Sequence, residues 1–363
     1  MKRLFLPMIC GQRRARRARG PACPMVMKRL FLPMICGCLT VQPAAAQRTH
    51  DLPLRPENIH WGYYDARVPP VLRIASGDIV RVETMVARGV ERMRMAGLRD
   101  DEVPASLLAV ERAVTERGPG AHPLSGPIFV ERAVPGDVIE VRIEDIGYLH
   151  PYGVGAFSPG GGTIPADFPW AALKLFRFDT IAGTTQFSPG IRLTLSPFFG
   201  SIGVAPPPLS GRLSSGPPGY HGGNLDNKEM RAGSTLYLPV HVQGALLSIG
   251  DGHALQGDGE VSGTAIETSF IGRIRVTLRK DMRLTWPRAE TASHVITMGL
   301  DPDLDEAARI ATREMIRYLV EVRGLTPDDA YILCSVAVDL RVTQTVDGTK
   351  GIHAMLPKDI FTQ

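Results

Sequence analysis

The densest concentration of residues that could do chemistry lies between Gly222 and Glu267. Carboxylate and imidazole groups together suit a divalent ion such as zinc, and additional oxygen ligands would suit calcium or manganese. The composition of this segment therefore indicates a metal site. The polar residues that could take part in it are Asn224, Asp226, Asp251, His253, Asp258, Glu260 and Glu267.

The spacing within the segment adds to this prediction. Asp251 and His253 flank Gly252, and if this stretch is extended the two side chains share one face, because residues two apart in a strand point the same way. Solvated acids in Asp-Gly turns are the alternative interpretation, and a single Gly-Asp-Gly would favour it. Here two occur within ten residues, at 250–252 and 257–259, with a histidine and a glutamate interleaved. This arrangement favours a site, and its glycines allow close backbone approach or positive φ.

A second candidate is His122, which lies upstream between proline-fixed segments. Pro123 and Pro127 would present this imidazole rigidly, although a lone histidine is more often structural or exposed. Asp339 and His353 could approach the site from the C-terminal part of the chain.

Nucleophilic mechanisms are less favoured. The sequence has no Gly-x-Ser-x-Gly elbow, and the segment Ser214-Ser215-Gly216 is more typical of a loop. Cys334 lies among apolar residues, so a buried, inert thiol is the better interpretation than a nucleophile.

The elements that would position these residues are mainly β-strands. Residues 79–84 and 138–144 alternate between apolar and polar, and each segment follows a Gly-Asp turn; 233–240 and 271–278 are further strands. Such short strands with repeated turn signals predict a β-sandwich or jelly-roll-like core, over residues 54–290. The Gly- and Pro-rich segment 147–219 is predicted as loops, and a flexible surface excursion is the alternative to loops that cover the site. Its aromatic residues favour a packed lid or pocket wall: Phe168, Trp170, Phe176, Phe198 and Phe199.

A smaller C-terminal α/β part is predicted for residues 291–363. Asp301-Pro302-Asp303 would start a helix with a cap, a proline in the first turn and early acids. The apolar stripe of this helix runs from Leu304 to Val322, and the helix ends at Gly324. A second helix would begin at Thr326, and residues 337–343 alternate as a strand.

Residues 1–46 have the features of a leader that is removed. The sequence MKRLFLPMICG occurs twice, and from Met27 a basic pair, an apolar run and an alanine cluster predict a secretory signal cleaved after Ala46. The mature protein, residues 47–363, is therefore expected in the periplasm or secreted. A lipid anchor on Cys38 is the alternative.

The leader also changes what the composition implies. It holds nine of the 41 lysines and arginines and no acidic residue, so the rest has 32 basic against 37 acidic residues, a net charge of −5. A nucleic-acid-binding protein needs a basic face, so that class is not expected. Only Cys334 remains of five cysteines, which excludes an internal disulfide. No apolar run reaches the length of about 18 residues that a membrane-spanning helix needs.

Five segments together resemble the acetamidase/formamidase family. They extend from about Leu54 to Lys358 and occur in the family's order: HPLSGPIFVERAVPGDVIEV, SPFFGSIGVAPP, GGNLDNKEM, LPVHVQGALLSIGDGHALQGDGEVSGTAIE and SVAVDLRVTQTVDGTKGIHAMLPK. The resemblance implies hydrolysis of short amides to a carboxylate and ammonia, a β-sandwich-type core, and an associated metal ion. By this resemblance the motif positions are His122, Asn224, Asp226, Asp251, His253, Glu260 and Glu267.

We assign roles within that set as follows. Asp251 and His253 are the expected metal ligands, with Asp226 or His122 completing the shell. Glu260 is the expected general base acting on a water at the metal, and Asn224 would orient the substrate or donate to the oxyanion. Glu267, Gly252 and Asp258 are expected next to the substrate or behind the ligands.

A homo-oligomer is expected. The alternative function is that of a periplasmic, metal-containing β-sandwich that binds a small ligand without turnover.

Overall fold

The computed structural model describes residues 47–362. The predicted leader, its cleavage at Ala46 and the lipid anchor at Cys38 lie outside the described residues. Among the residues described, no helix combines the length and the apolar character that crossing a membrane requires.

Strands make up most of the regular structure. In chain order they are β1 Thr49–Leu52, β2 Ile59–Trp61, β3 Tyr63–Tyr64, β4 Leu72–Ile74, β5 Ile79–Glu83, β6 Pro123–Val130, β7 Val138–Tyr148, β8 Tyr152–Phe157, β9 Ala172–Asp179, β10 Thr184–Ser188 and β11 Ile191–Thr194. The remaining strands are β12 Phe198–Gly203, β13 Leu213–Ser214, β14 Gly222–Asn224, β15 Thr235–Pro239, β16 Leu247–His253, β17 Glu267–Thr268, β18 Phe270–Arg279, β19 Arg288–Glu290, β20 His294–Asp301, β21 Asp339–Gln344 and β22 Lys350–Pro357.

Two large sheets organise these strands. One has nine strands in the order β1-β5-β18-β7-β15-β19-β20-β22-β21. The other has eleven, with β11-β10-β9-β8-β17-β16-β12-β14 as its path and β6 joining β16 to β2 and β4. Apolar side chains from both sheets form one buried cluster, in which Val141 and Ile274 of the first meet Phe199 and Ile249 of the second. The predicted mainly β, sandwich-type core is confirmed.

Four α-helices complete the fold of residues 47–362: α1 Val90–Met95, α2 Ala105–Ala113, α3 Leu304–Arg323 and α4 Pro327–Ala337. Asp303, the last residue of the predicted start, caps α3 by accepting a hydrogen bond from the Glu306 N–H, so Pro302 lies before the helix and not in its first turn. Gly324 ends α3 in a left-handed conformation, as predicted. Thr326 caps α4. Helix α3 packs on β20 and β22, so the C-terminal α/β part extends the nine-stranded sheet.

Two features of the fold differ from the sequence prediction. Segment 147–219 is not only loops, because six strands, β8 to β13, lie within it. Phe176, Phe198 and Phe199 are buried in those strands, whereas Phe168 and Trp170 are exposed. Helices α1 and α2 were not predicted, since each is too short to give a clear periodic pattern.

Candidate active site

The candidate site lies where four strands of the eleven-stranded sheet run side by side in the order β17, β16, β12, β14. His253 at the end of β16 is level with Glu267 on β17 and with Phe198 on β12. Ser201 on β12 is in turn level with Asn224 on β14. The register of the sheet therefore gathers polar residues that are distant in sequence.

The backbone at Asp251 departs from that of a regular strand. Its φ of 57° lies in the left-handed region, and so does the φ of 47° at Asp226. A Cβ atom at Gly200 would lie 2.5 Å from Asp251 Oδ2 and 2.6 Å from Asp226 Oδ1. The absence of a side chain at Gly200 thus makes the space in which the two carboxylates meet.

His253 is held in one orientation by Gln256. The Gln256 Nε2 donates to the Asp226 carbonyl at 2.8 Å, which turns its Oε1 toward His253 Nδ1 at 2.9 Å. Nδ1 therefore carries a proton, and Nε2 lies 3.2 Å from both Asp251 Oδ2 and Glu267 Oε2. A lone pair would repel these carboxylates, so Nε2 must meet them through a proton or a cation.

His122 is also held through its Nδ1, and its hydrogen-bond partner is Ser215. Its Nδ1 lies 2.8 Å from the Ser215 carbonyl oxygen and 3.1 Å from Ser215 Oγ, and its Nε2 lies 3.8 Å from Asp251 Oδ2. The Nδ1–H donates to the carbonyl, which leaves Nε2 facing the acids. Ser215 is fully buried behind the ring, so this serine orients His122.

Asn224 binds two carboxylates rather than facing open space. Its Nδ2 donates to Asp226 Oδ2 at 2.7 Å and to Asp347 Oδ2 at 3.1 Å, while Ser201 Oγ donates to Asn224 Oδ1 at 2.6 Å. Both amide hydrogens are therefore engaged, which leaves no free N–H for the oxyanion role expected from the sequence. Asp347, in the turn between β21 and β22, was not anticipated.

Glu260 lies on a loop that is hydrogen-bonded to the C-terminal part of the chain. The N–H of Gly259 donates to the Thr343 carbonyl, and the N–H of Thr345 donates to the Gly259 carbonyl, both at 3.1 Å. Glu260 itself has a left-handed φ of 45°. Ligand atoms of Asp226, His253 and Glu260 lie within 4.8 Å of one another, as do those of Asp251, His253 and Glu267.

The electrostatics of the cluster are those of crowded, buried acids. Burial, followed by the carboxylate of Glu260, raises the pKa of Asp226 well above its ordinary value. Burial and the carboxylate of Asp347 likewise raise the pKa of Glu260, although His253 opposes the shift. Asp251 differs, because the imidazoles of His253 and His122 outweigh burial and hold its pKa low. Burial alone would lower the pKa of His253, but the carboxylates of Glu267 and Asp251 raise it well above normal.

These groups surround one cavity of about 230 Å³. Five carboxylates, two imidazoles and two guanidinium groups are among its lining side chains: Asp226, Asp251, Glu260, Glu267, Asp347, His122, His253, Arg88 and Arg92. Within residues 47–362, none of the five carboxylates forms an ion pair with a lysine or arginine.

Several candidate residues are not brought into this cavity. Gly252 faces the opposite side of β16, where a Cβ would lie 2.7 Å from the ring of Phe270. Asp258 pairs with Arg341 and Lys228 away from the acids. Asp339, His353 and Cys334 do not line the cavity; Cys334 lies partly buried in α4, and burial raises the pKa of its thiol.

Comparison with known proteins gives a family match over nearly all of the described chain. The model of the Acetamidase/Formamidase family matches residues 52–209 and 211–363. The chain belongs to the acetamidase/formamidase family. A formamidase from Methylophilus methylotrophus is 34% identical over 212 residues, which are 44% of this chain and 52% of that protein. The chain thus spans about half the length of the curated relatives it matches.

Solved structures of the acetamidase/formamidase family share the fold. A recombinant predicted acetamidase/formamidase from Thermoanaerobacter tengcongensis superposes with a TM-score of 0.75 at 30% identity, covering 87% of this chain and 97% of that one. An acetamidase from Bacillus halodurans gives 0.71 at 33% identity, covering 86% and 98%. The family membership inferred from the sequence motifs is confirmed.

Proposed function

We propose that this protein is an amidohydrolase that converts short linear amides to a carboxylate and ammonia with the help of a bound divalent cation. The observation that carries the proposal is the buried cluster of five carboxylates and two oriented imidazoles around one small cavity. Relatives that are named formamidase and acetamidase support the substrate class.

The donor set suits a divalent cation. Asp226 Oδ1, Asp251 Oδ1 and Glu267 Oε2 are buried and have no hydrogen-bond partner within residues 47–362. Buried acceptors without donors are costly, and a cation would satisfy several of them at once. Nitrogen and oxygen ligands without a thiolate suit zinc, and calcium or manganese are compatible with the number of oxygens.

Asp251, His253 and Glu267 are the residues that we assign as ligands, because His253 Nε2 faces the other two at 3.2 Å. His122 would complete the set through Nε2. Asp226 lies on the Nδ1 side of His253, at 3.8 Å, and Gln256 already occupies that nitrogen. When bound, the ion would polarise the amide carbonyl and acidify a neighbouring water.

Glu260 is the residue that we assign to proton transfer. A buried carboxylate with a raised pKa is suited to hold a proton for part of the cycle. Glu260 would accept a proton from water as the water oxygen bonds to the amide carbon. It would return that proton to the amide nitrogen as the C–N bond breaks. The new carboxyl group then loses its own proton to ammonia, which gives carboxylate and ammonium.

The neighbouring polar side chains would hold these groups in place. Asn224 links Asp226 to Asp347, Gln256 orients His253, and Ser215 orients His122. Such hydrogen bonds fix which ring nitrogen faces the cavity, and they restrict each side chain to one direction. A preorganised site of this kind avoids reorganisation during the reaction.

The direct experiment is an ammonia-release assay of purified protein on a panel of short amides, including formamide and acetamide. We expect ammonia release above the rate in buffer. If the protein binds such amides without releasing ammonia from any of them, it is a non-catalytic binder and the proposal is wrong.

A further inference from the structure

Arg92 lines the cavity but has no partner for its charge. The residue is 8% exposed, yet it makes neither an ion pair nor a side-chain hydrogen bond with any residue in 47–362. Glu267 attracts its charge and Arg88 repels it, and Glu267 forms neither an ion pair nor a hydrogen bond with it. None of its guanidinium nitrogens is among the fully buried polar atoms of residues 47–362, so its five N–H donors are open to the cavity and available to a ligand.

The surroundings hold Arg92 in position. Helix α1 is anchored by the buried side chains of Val90 and Met93. The Val90 N–H also donates to Glu111 Oε2 on α2 at 3.1 Å. These contacts fix the helix from which Arg92 reaches the cavity.

Arg88 supplies a second cation on the same wall. This residue is exposed and has a left-handed φ of 62°, a conformation that costs free energy for residues with a side chain. Its N–H donates to the carbonyl of Ala121 at 2.9 Å, which is the residue before His122. The backbone at Arg88 is therefore hydrogen-bonded to the segment that carries His122.

We propose that Arg92, with Arg88 at the cavity rim, binds a carboxylate group of the substrate, so that the preferred substrates are monoamides of short dicarboxylic acids. This inference rests on the proposed function. A carboxylate accepts two parallel hydrogen bonds from one guanidinium, which satisfies the donors and neutralises the charge. The amide end of the same molecule would then lie among Asp251, His253 and Glu260.

The cavity volume is compatible with such a substrate. Its 230 Å³ corresponds to several waters at about 30 Å³ each, more than formamide, with three heavy atoms, would fill. Hydrolysis of malonamate follows the same balance as above: water adds, the C–N bond breaks, and the products are malonate and ammonium.

The test compares malonamate with isovaleramide, in which an isopropyl group replaces the carboxylate. We expect kcat/KM to favour malonamate by at least about tenfold, because charged hydrogen bonds are stronger than apolar contact of the same size. In Arg92→Gln this ratio should fall at least about tenfold, and the inhibition constant for malonate should rise in parallel. Arg88→Gln should lower the ratio less.

Arg94→Gln is the matched control, because Arg94 lies on the same helix but pairs with Asp100 at the surface. It should leave the ratio unchanged. If Arg92→Gln unfolds, Arg88→Gln and malonate inhibition of the wild type decide the question instead. Equal use of malonamate and isovaleramide, or a ratio unchanged in Arg92→Gln, would overturn this inference alone. No ammonia from any amide, neutral or carboxylated, would overturn the proposed function.

Discussion

The tripeptide Gly-Asp-Gly occurs twice in this chain, and the two copies have opposite environments. Asp251 is buried inside β16 at a left-handed φ, beside two imidazoles and further acids. Asp258, seven residues later, is partly exposed and pairs with Arg341 at 2.6 Å and with Lys228 at 3.2 Å. The same local sequence therefore gives two different acids. Asp258 is paired with arginine and lysine side chains, whereas Asp251 has no such partner among the described residues.

The difference lies in the partners rather than in the tripeptide. Gly200 on the neighbouring strand leaves room for the Asp251 carboxylate, and the sheet register places Glu267 and His253 beside it. Asp258 meets Arg341, which projects from β21. Charge balance thus separates the two acids: a cluster of five carboxylates without a lysine or arginine partner among the described residues requires protons or a cation, whereas an acid paired with arginine and lysine does not.

Asp251→Asn should have the largest effect. The substitution keeps the shape of the side chain but removes the charge that faces both His253 and His122. We expect loss of the bound divalent ion and a fall in kcat/KM of about 10³-fold or more. Metal analysis and the ammonia assay measure the two effects. Retention of both would show that Asp251 is no more important than a surface acid.

Glu260→Gln should separate proton transfer from cation binding. Because we assign Glu260 as the base and not as a ligand, the variant should keep its metal content. Its kcat should fall by about 10²–10³-fold, as expected when a general base is removed. Full activity would rule out this role for Glu260, and loss of the ion would make Glu260 a ligand instead.

Gln256→Ala should have an intermediate effect. The change removes the acceptor that holds His253 Nδ1–H, without touching a carboxylate. Removing a hydrogen-bond partner of a ligating histidine lowers metal affinity by about 10–100-fold, and we expect that result in a metal-competition titration. An unchanged affinity would mean that His253 does not depend on Gln256 for its orientation.

Asp258→Asn should have the smallest effect and is the matched control for Asp251→Asn. Its carboxylate is partly exposed and its ion pairs are worth little in solvent. We expect metal content to be unchanged and kcat/KM to change by less than about threefold. A loss comparable to that of Asp251→Asn would remove the distinction between the two tripeptides.

The part of the fold that follows from local patterns was predictable. The alternation of apolar and polar residues predicted the strands around residues 79–84 and 138–144. The acids and the proline at 301–303 and the glycine at 324 predicted where α3 begins and ends. Strands β8 to β13 were missed because the segment that contains them is rich in glycine and proline, which are typical of turns. The prolines of that segment lie between the strands and not within them.

The site was predictable only where its residues share one strand or one motif. Asp251 and His253 were found because two-residue spacing puts both on one face of β16. The same alternation places Gly252, which lies between them, on the opposite face. Asp258 is in the same glycine-rich segment, but its pairing with Arg341 and Lys228 depends on residues that are distant in sequence. Asp347 and Arg92 lie in segments that are distant in sequence from the others. Their places in the cavity depend on tertiary contacts, so the sequence pattern did not predict them.

The most direct test of the central claim is the metal content of the purified wild-type protein, measured together with ammonia release before and after chelation. We predict at least one tightly bound divalent ion per chain. Chelation should abolish ammonia release, and adding the ion back should restore it. Full activity in a protein freed of metal would contradict the claim that the acids around Asp251 and His253 act through a bound cation.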